Sequence, residues 1–161
     1  MAVRKIIEIG DDGLRKTSHP VEKFDKKLHN LLDDMAETMM HADGAGIAAP
    51  QVGILRRVVV IDAGEGILEL VNPTITSSQG EQINPEGCLS IPGRRCTVMR
   101  PQHITLKAQD RNGEWFEMEG EDFFPIVVSH ELDHLDGILY VDKMIEDVTD
   151  QLNQQHEEED E

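Results

Sequence analysis

Cysteine is scarce, with two in 161 residues, Cys88 and Cys96. That excludes the disulfide-dense scaffold of small secreted domains and leaves a thiol or a metal ligand as the usual role for either. Long apolar runs are missing as well. The opening Met1-Ala2-Val3-Arg4-Lys5 leads only into Ile6-Ile7, too short for the apolar region of a signal peptide, and nothing approaches bilayer-spanning length. A cytoplasmic location without membrane contact is the expectation. Positive charge is also short: 15 Lys and Arg stand against 32 Asp and Glu, a formal net charge of −17. Nucleic acids are held through clustered Lys and Arg, so direct DNA binding is excluded. No internal repeat is present, and no low-complexity stretch precedes the C-terminal end.

The hydrophobic content of 39% and the length suit one soluble domain with a real core. Charge is uneven along it. From Glu146 to Glu161 there are eight acidic residues and no Lys or Arg, which reads as a solubilising tail. The expected division is therefore a catalytic domain over 1–145 and an acidic tail over 146–161.

Leu28, Leu31, Leu32, Met35 and Met39 recur at spacings of three and four and predict a helix from about Asp25 to Ala42, with Asp43-Gly44 ending it. After a Gly-rich loop, Val58-Val59-Val60-Ile61 and Ile67 to Val71 read as strands, the second closed by Asn72-Pro73. His103 to Gln109 and Glu114 to Met118 flank Asp110-Arg111-Asn112-Gly113 and read as a hairpin, Asn-Gly favouring a type I′ turn. Phe123 to Leu135 predicts a second helix, with Pro125 in its first turn. The order implies an α+β fold, a single domain of mainly antiparallel strands around a central helix, with an N-terminal helix.

That second helix contains His130-Glu131-Leu132-Asp133-His134, an H-E-x-x-H pattern. Residues four apart share a helical face, so both imidazoles can reach one divalent ion. Glu131 can then address a water whose pKa the ion lowers. The pattern alone also fits a helix with two surface histidines and an incidental glutamate. A catalytic site needs a third ligand. Only 27 residues follow His134, and the one later histidine, His156, lies in the acidic tail. Cys88, in Glu86-Gly87-Cys88-Leu89-Ser90, is the better candidate, although a lone cysteine is often a small buried hydrophobe.

Three segments now stand in order: Gly44-Ala45-Gly46-Ile47-Ala48-Ala49-Pro50-Gln51, Glu86-Gly87-Cys88-Leu89-Ser90 and His130-Glu131-Leu132-Asp133-His134. In order and spacing the chain resembles the peptide deformylases, whose motifs are G-x-G-[LI]-A-A-P-Q, E-G-C-[LIV]-S and H-E-x-D-H. The likeness runs from about Val3 to Met144. It departs at Ser129, where many members have Gln, and at the acidic end, where some bacterial members carry a basic helix that docks on the ribosome.

The resemblance implies Cys88, His130 and His134 as ligands of one divalent ion, ferrous iron in most bacterial members, with zinc, nickel or cobalt also able to occupy such sites. The donor set itself does not choose among these metals. It implies hydrolysis of the N-formyl group of formylmethionine on nascent polypeptides, with release of formate. Glu131 would move the proton, while the Gln51 side-chain amide and the Leu89 backbone N–H would stabilise the formyl oxygen. Gly44, Ala45, Gly46 and Ile47 resemble a strand edge for the substrate backbone, with Glu86 and Gly87 beside it. By similarity Ala45, Phe123, Ile126 and Val127 wall a pocket for the first side chain. The ribosome would be met transiently, and not through a basic C-terminal helix.

Two other readings remain. An H-E-x-x-H zinc endopeptidase would need a downstream third ligand. A non-enzymatic metal or thiol domain would pair Cys88 with Cys96, although bridging would consume the thiolate a metal needs.

Overall fold

Two α-helices, three short 3-10 helices and eight strands lie within residues 2–152, the part of the chain that the computed structural model describes. Helix α1 is Lys26–His41. The Asp25 carboxylate caps it by accepting from Leu28 N at 3.1 Å, which satisfies an otherwise orphaned first-turn donor. At its other end Asp43, not glycine, takes the left-handed conformation (φ 56°). Gly44 N then donates to Met39 O, and Asp43 N to Met40 O, closing the last turn. The helix α2 is Phe123–Leu135, with Gly137 (φ 74°) completing the equivalent C-terminal closure. Both helices fall where the sequence predicted them.

Strands β1 (Gly46–Ala48), β2 (Val58–Asp62), β3 (Ile67–Gln79), β6 (His103–Gln109) and β7 (Trp115–Glu121) form one antiparallel sheet in the order β1-β2-β3-β6-β7. Strands β4 (Gln82–Cys88), β5 (Ile91–Arg100) and β8 (Glu146–Asp147) form a second sheet in the order β4-β5-β8. Successive strand residues face opposite sides, and β2 uses both. Val58 and Val60 pack with Leu28, Leu32, Met35 and Met39 of α1. Val59 and Ile61 join Val127, Val128 and Leu135 of α2. Each such buried aliphatic contributes about 1.5–3 kcal/mol relative to exposure. The two helices thus cover opposite faces of one strand. The fold is α+β and mainly antiparallel, as expected.

Four local expectations change. Asn72-Pro73 does not close the strand: β3 continues to Gln79 through a register shift between Val71 and Thr74. Asn72 sits at φ 50°, and its side chain bonds Val21 N, Val21 O and Gln109 Oε1 at 2.8–2.9 Å. The amide replaces the lost ladder bonds, and pairing resumes. The hairpin turn is not type I′, because only Gly113 in it has positive φ. Asp110 Oδ1 accepts from Asn112 N and Glu114 N, and Gly113 N donates to Asp110 O. This is a longer turn closed by a left-handed glycine.

The ribbon of β4 and β5 was not anticipated, since Asn, Pro and Gly in 82–88 hide its pairing. Finally, the acidic end does not begin as a tail at 146. Glu146 pairs with Thr97 and Asp147 with Cys96, Arg94 holds Asp147 at 3.1 Å, and Val148 is buried. Strand pairing and one buried valine outweigh the local charge. The rest of the expected tail, 153–161 with His156, lies outside the described residues.

Candidate metal centre

Helix α2 is apolar on most sides, and His130, Glu131 and His134 are buried within it. Cys88 comes from elsewhere, the last residue of β4. The Leu89-Ser90 connection reverses the chain at once, Cys88 pairing with Ile91, and so aims the thiol at the helix. Sulfur and imidazole donor atoms of Cys88, His130 and His134 lie within 4.8 Å of one another, with Cys88 Sγ 3.3 Å from His134 Nε2.

Each imidazole has one nitrogen free for an ion. His130 uses Nδ1 on Glu86 Oε1 at 2.9 Å, which turns Nε2 inward. Burial, reinforced by the charges of His130 and Arg100, holds His134 down at about 3, so its imidazole is neutral. His130 is pulled both ways: burial lowers its pKa, but bonds to Cys88 and Glu86 outweigh it and raise it to about 10. A proton and a metal ion compete for that same lone pair. Burial pushes the Glu131 carboxyl up to about 7. Its Oε1 stands 3.9 Å from His130 Nε2, and its buried Oε2 has no protein partner. One soft thiolate, two imidazoles and an unpartnered carboxylate oxygen beside them fit a divalent ion with a reacting group in an open position.

Glu86 stands at the cavity, beside where the substrate is expected, yet its carboxylate is fully engaged. Arg100 grips it with two bonds of 2.9 and 3.0 Å and reaches Asp133 at 2.7 Å. Burial alone would raise the Glu86 carboxyl, but bonds from His130 and Arg100 outweigh it and hold it below the ordinary range. Glu86 therefore orients a histidine. Arg100 of this network went unnoticed in the sequence, where a buried arginine looks like any surface one, and Asp133 appeared only as part of the H-E-x-D-H motif, with no role given to it.

A cavity of about 500 Å³ opens beside the three donors. Twelve of the expected residues line it: Gly44, Ala45, Gly46, Glu86, Gly87, Cys88, Leu89, His130 and Glu131 from the three motifs, and Phe123, Ile126 and Val127 from the first turns of α2. Gln51 sits behind it, buried, its Nε2 3.6 Å from Cys88 Sγ. Ile47 does not join the cavity, because its side chain is in the core with α1. Strand β1 is the open edge of its sheet. Asp62 N bonds Ala45 O at 2.8 Å, and an antiparallel ladder alternates. Ala45 and Ile47 thus face β2, and the N–H and C=O of Gly46 face the open side.

Cys96 is a free thiol, as is Cys88. Cys96 is fully buried in a separate cluster with Leu14, Ile91, Val98 and Tyr140, and burial raises its pKa.

An α+β domain with such a donor set beside a free strand edge suits a metal-dependent hydrolase of peptide-like substrates. The sequence model described as Polypeptide deformylase matches residues 3–150. The peptide deformylase of Acetivibrio thermocellus is 54% identical over 145 residues, 90% of this chain and 85% of that one. Peptide deformylase 1 of Clostridium acetobutylicum is 53% identical over 146 residues, 91% and 97% of the two chains. The crystal structure of the Thermotoga maritima peptide deformylase superposes with a TM-score of 0.88 at 41% identity, over 89% of this chain and 99% of that one. That from Legionella pneumophila gives 0.86 at 43%, over 96% and 92%. The chain belongs to the polypeptide deformylase family. Its activity is removal of the N-formyl group from nascent polypeptides, and the family implies a divalent metal. Among the described residues no helix is long and apolar enough to cross a membrane.

Proposed function

We propose that Cys88, His130 and His134 hold the ion, ferrous iron in the working enzyme, and that the remaining roles follow from what surrounds them. The convergence of one thiol and two imidazoles, with an unpartnered carboxylate oxygen beside them, carries this reading. When bound, such an ion supplies Lewis-acid polarisation of a carbonyl and a readily deprotonated water.

The reaction adds water to a formamide, R–NH–CHO, and yields formate and R–NH3+. Glu131 accepts a proton from the attacking water and delivers it to the leaving nitrogen, one carboxylate serving both steps. Its raised pKa, due first to burial, places it near neutrality, where accepting and donating are both accessible. Gln51 Nε2 and the Leu89 N–H donate to the formyl oxygen as charge develops on it, each such donor being worth about 2.7–4 kcal/mol. The free N–H and C=O of Gly46 pair with the substrate backbone, which reads any peptide without regard to sequence. Phe123, Ile126 and Val127, on successive turns of α2, form the apolar wall for the methionine side chain, with Ala45 opposite.

We place the enzyme in the cytoplasm, where nascent chains emerge. Its contact with the ribosome is transient and does not use its acidic C-terminal end, since like charges repel and no counterions are released. DNA is not a partner. Anaerobic purification followed by metal analysis and a formate-release assay tests the whole reading. Iron at one per chain with formate released from formyl-methionyl peptides is the expected result. Cleavage of internal amides would favour the endopeptidase reading instead. Retained metal with no formate release would favour a non-enzymatic domain.

A further inference from the structure

Gln51 carries one acceptor and two donor positions on its amide. Its Oε1 accepts from Ala48 N at 2.9 Å, which fixes the orientation of the amide, since only oxygen can face an N–H. Its Nε2 then lies 3.1 Å from Ser90 Oγ and 3.6 Å from Cys88 Sγ. The two amide hydrogens diverge by about 120° in an sp² plane. With one spent on Ser90, the other is directed toward the thiol and the three-donor centre. Both residues are buried, Gln51 at 1% exposure and Ser90 at 0%, so solvent offers no substitute partner. Ser90 is itself pinned, its carbonyl accepting from Ile9 N at 2.9 Å.

A glutamine's terminal torsion is broad when unrestrained. Ala48 and the long 3.6 Å contact to Cys88 Sγ would by themselves leave the amide plane room to rock about the Oε1 contact. A second fixed point stops that motion.

We propose that Ser90 is a positioning residue for the deformylation reaction: its hydroxyl holds the Gln51 amide so that one N–H is presented to the formyl oxygen before substrate arrives. This rests on the donor role given to Gln51 above. The group acts through Gln51 and does not itself touch substrate. Preorganisation of this kind is what makes a fixed donor more effective than a mobile one.

A double-mutant cycle on the zinc-loaded full chain tests it, with formate release from a formyl-methionyl peptide and the side-chain NH2 signals of Gln51 as separate readouts. Gln51→Ala assigns those signals by their disappearance. Ser90→Ala should lower kcat by about 10-fold, part of the about 10²–10³-fold lost with a whole donor. KM and bound zinc should stay within about twofold, and the Gln51 proton facing Ser90 should shift and exchange faster with solvent. In a Gln51→Ala background the same substitution should change kcat by less than about twofold. Ser90→Cys, near-isosteric with a weak acceptor, should show the intermediate loss, and it keeps the test valid if Ser90→Ala folds poorly. Equal losses from Ser90→Ala in both backgrounds would overturn the proposal, as would unmoved Gln51 signals. A Gln51→Ala enzyme that turns over normally would instead remove the role of Gln51, and that of Ser90 with it.

Discussion

A methyl group added at Gly46 would land against the Glu131 side chain. A Cβ built there meets Glu131 Cγ at 2.9 Å and Cδ and Oε1 at 3.1 Å. Carbon contacts settle at about 3.5–4.0 Å, so the carboxylate must move by about 0.5–1 Å. It has little room, since Glu131 is 4% exposed and its backbone is held by α2. Gly46 is not among the residues with positive φ. Its lack of a side chain is therefore required by the neighbour and not by the backbone. A 1 Å misplacement of a catalytic group costs about 100-fold, so Gly46→Ala should lower kcat by about 10–100-fold, or about 1.4–2.7 kcal/mol of barrier. Overpacking should cost about 1–3 kcal/mol of stability in addition. Formate release across substrate concentrations, with metal content and urea unfolding on the same preparation, separates the two effects. A folded, metal-loaded Gly46→Ala enzyme with kcat within about twofold of the parent would refute the claim that the position of Glu131 matters. A loss confined to KM would show that the methyl obstructs substrate instead.

Glu131→Gln should keep its metal and lose about 10²–10⁴ in kcat, because an amide cannot accept the proton; metal loss on elemental analysis would make Glu131 structural. Cys88→Ser should lose most of its metal, a neutral hydroxyl being a far weaker ligand than a thiolate, and stoichiometric metal with normal turnover would remove Cys88 from the ligand set. Arg100→Met strips two bonds from a Glu86 side chain that is only 4% exposed and should cost about 3–5 kcal/mol in urea unfolding; a loss below about 1 kcal/mol would mean that the carboxylate finds other partners. Truncation after Asp150 spares β8 and Val148 while removing five acidic residues. It should leave peptide deformylation unchanged and ribosome co-sedimentation no weaker, and abolished co-sedimentation would reverse the view of the acidic end.

Local physics made much of this chain readable. The stripe from Leu28 to Met39 has one low-energy solution, an amphipathic helix, and the structure has it at Lys26–His41. Phe123–Leu135 is similar, and the four-residue spacing of His130 and His134 places both on one face whatever surrounds them. The three motifs carried the family and its chemistry, and they named nine of the residues that line the cavity.

What local sequence did not decide depends on partners distant along the chain. Asn72-Pro73 reads as a strand end until the Asn72 amide finds Val21 and Gln109, 51 and 37 residues away. Glu146 and Asp147 read as a solvated acidic end until β5 offers them a free edge. Arg100 looks like a surface charge, and neither Glu86 nor Asp133 shows its partner, because a charge is buried only where all its partners are supplied together. Gly44 and Gly46 look like a flexible loop, yet their missing side chains make room for Leu89 and Glu131, which arrive from other elements. Sequence determined which groups can do the chemistry. Only the packing of β4 against α2 brought the thiol to the imidazoles, because that distance is a property of the whole core and of no single segment.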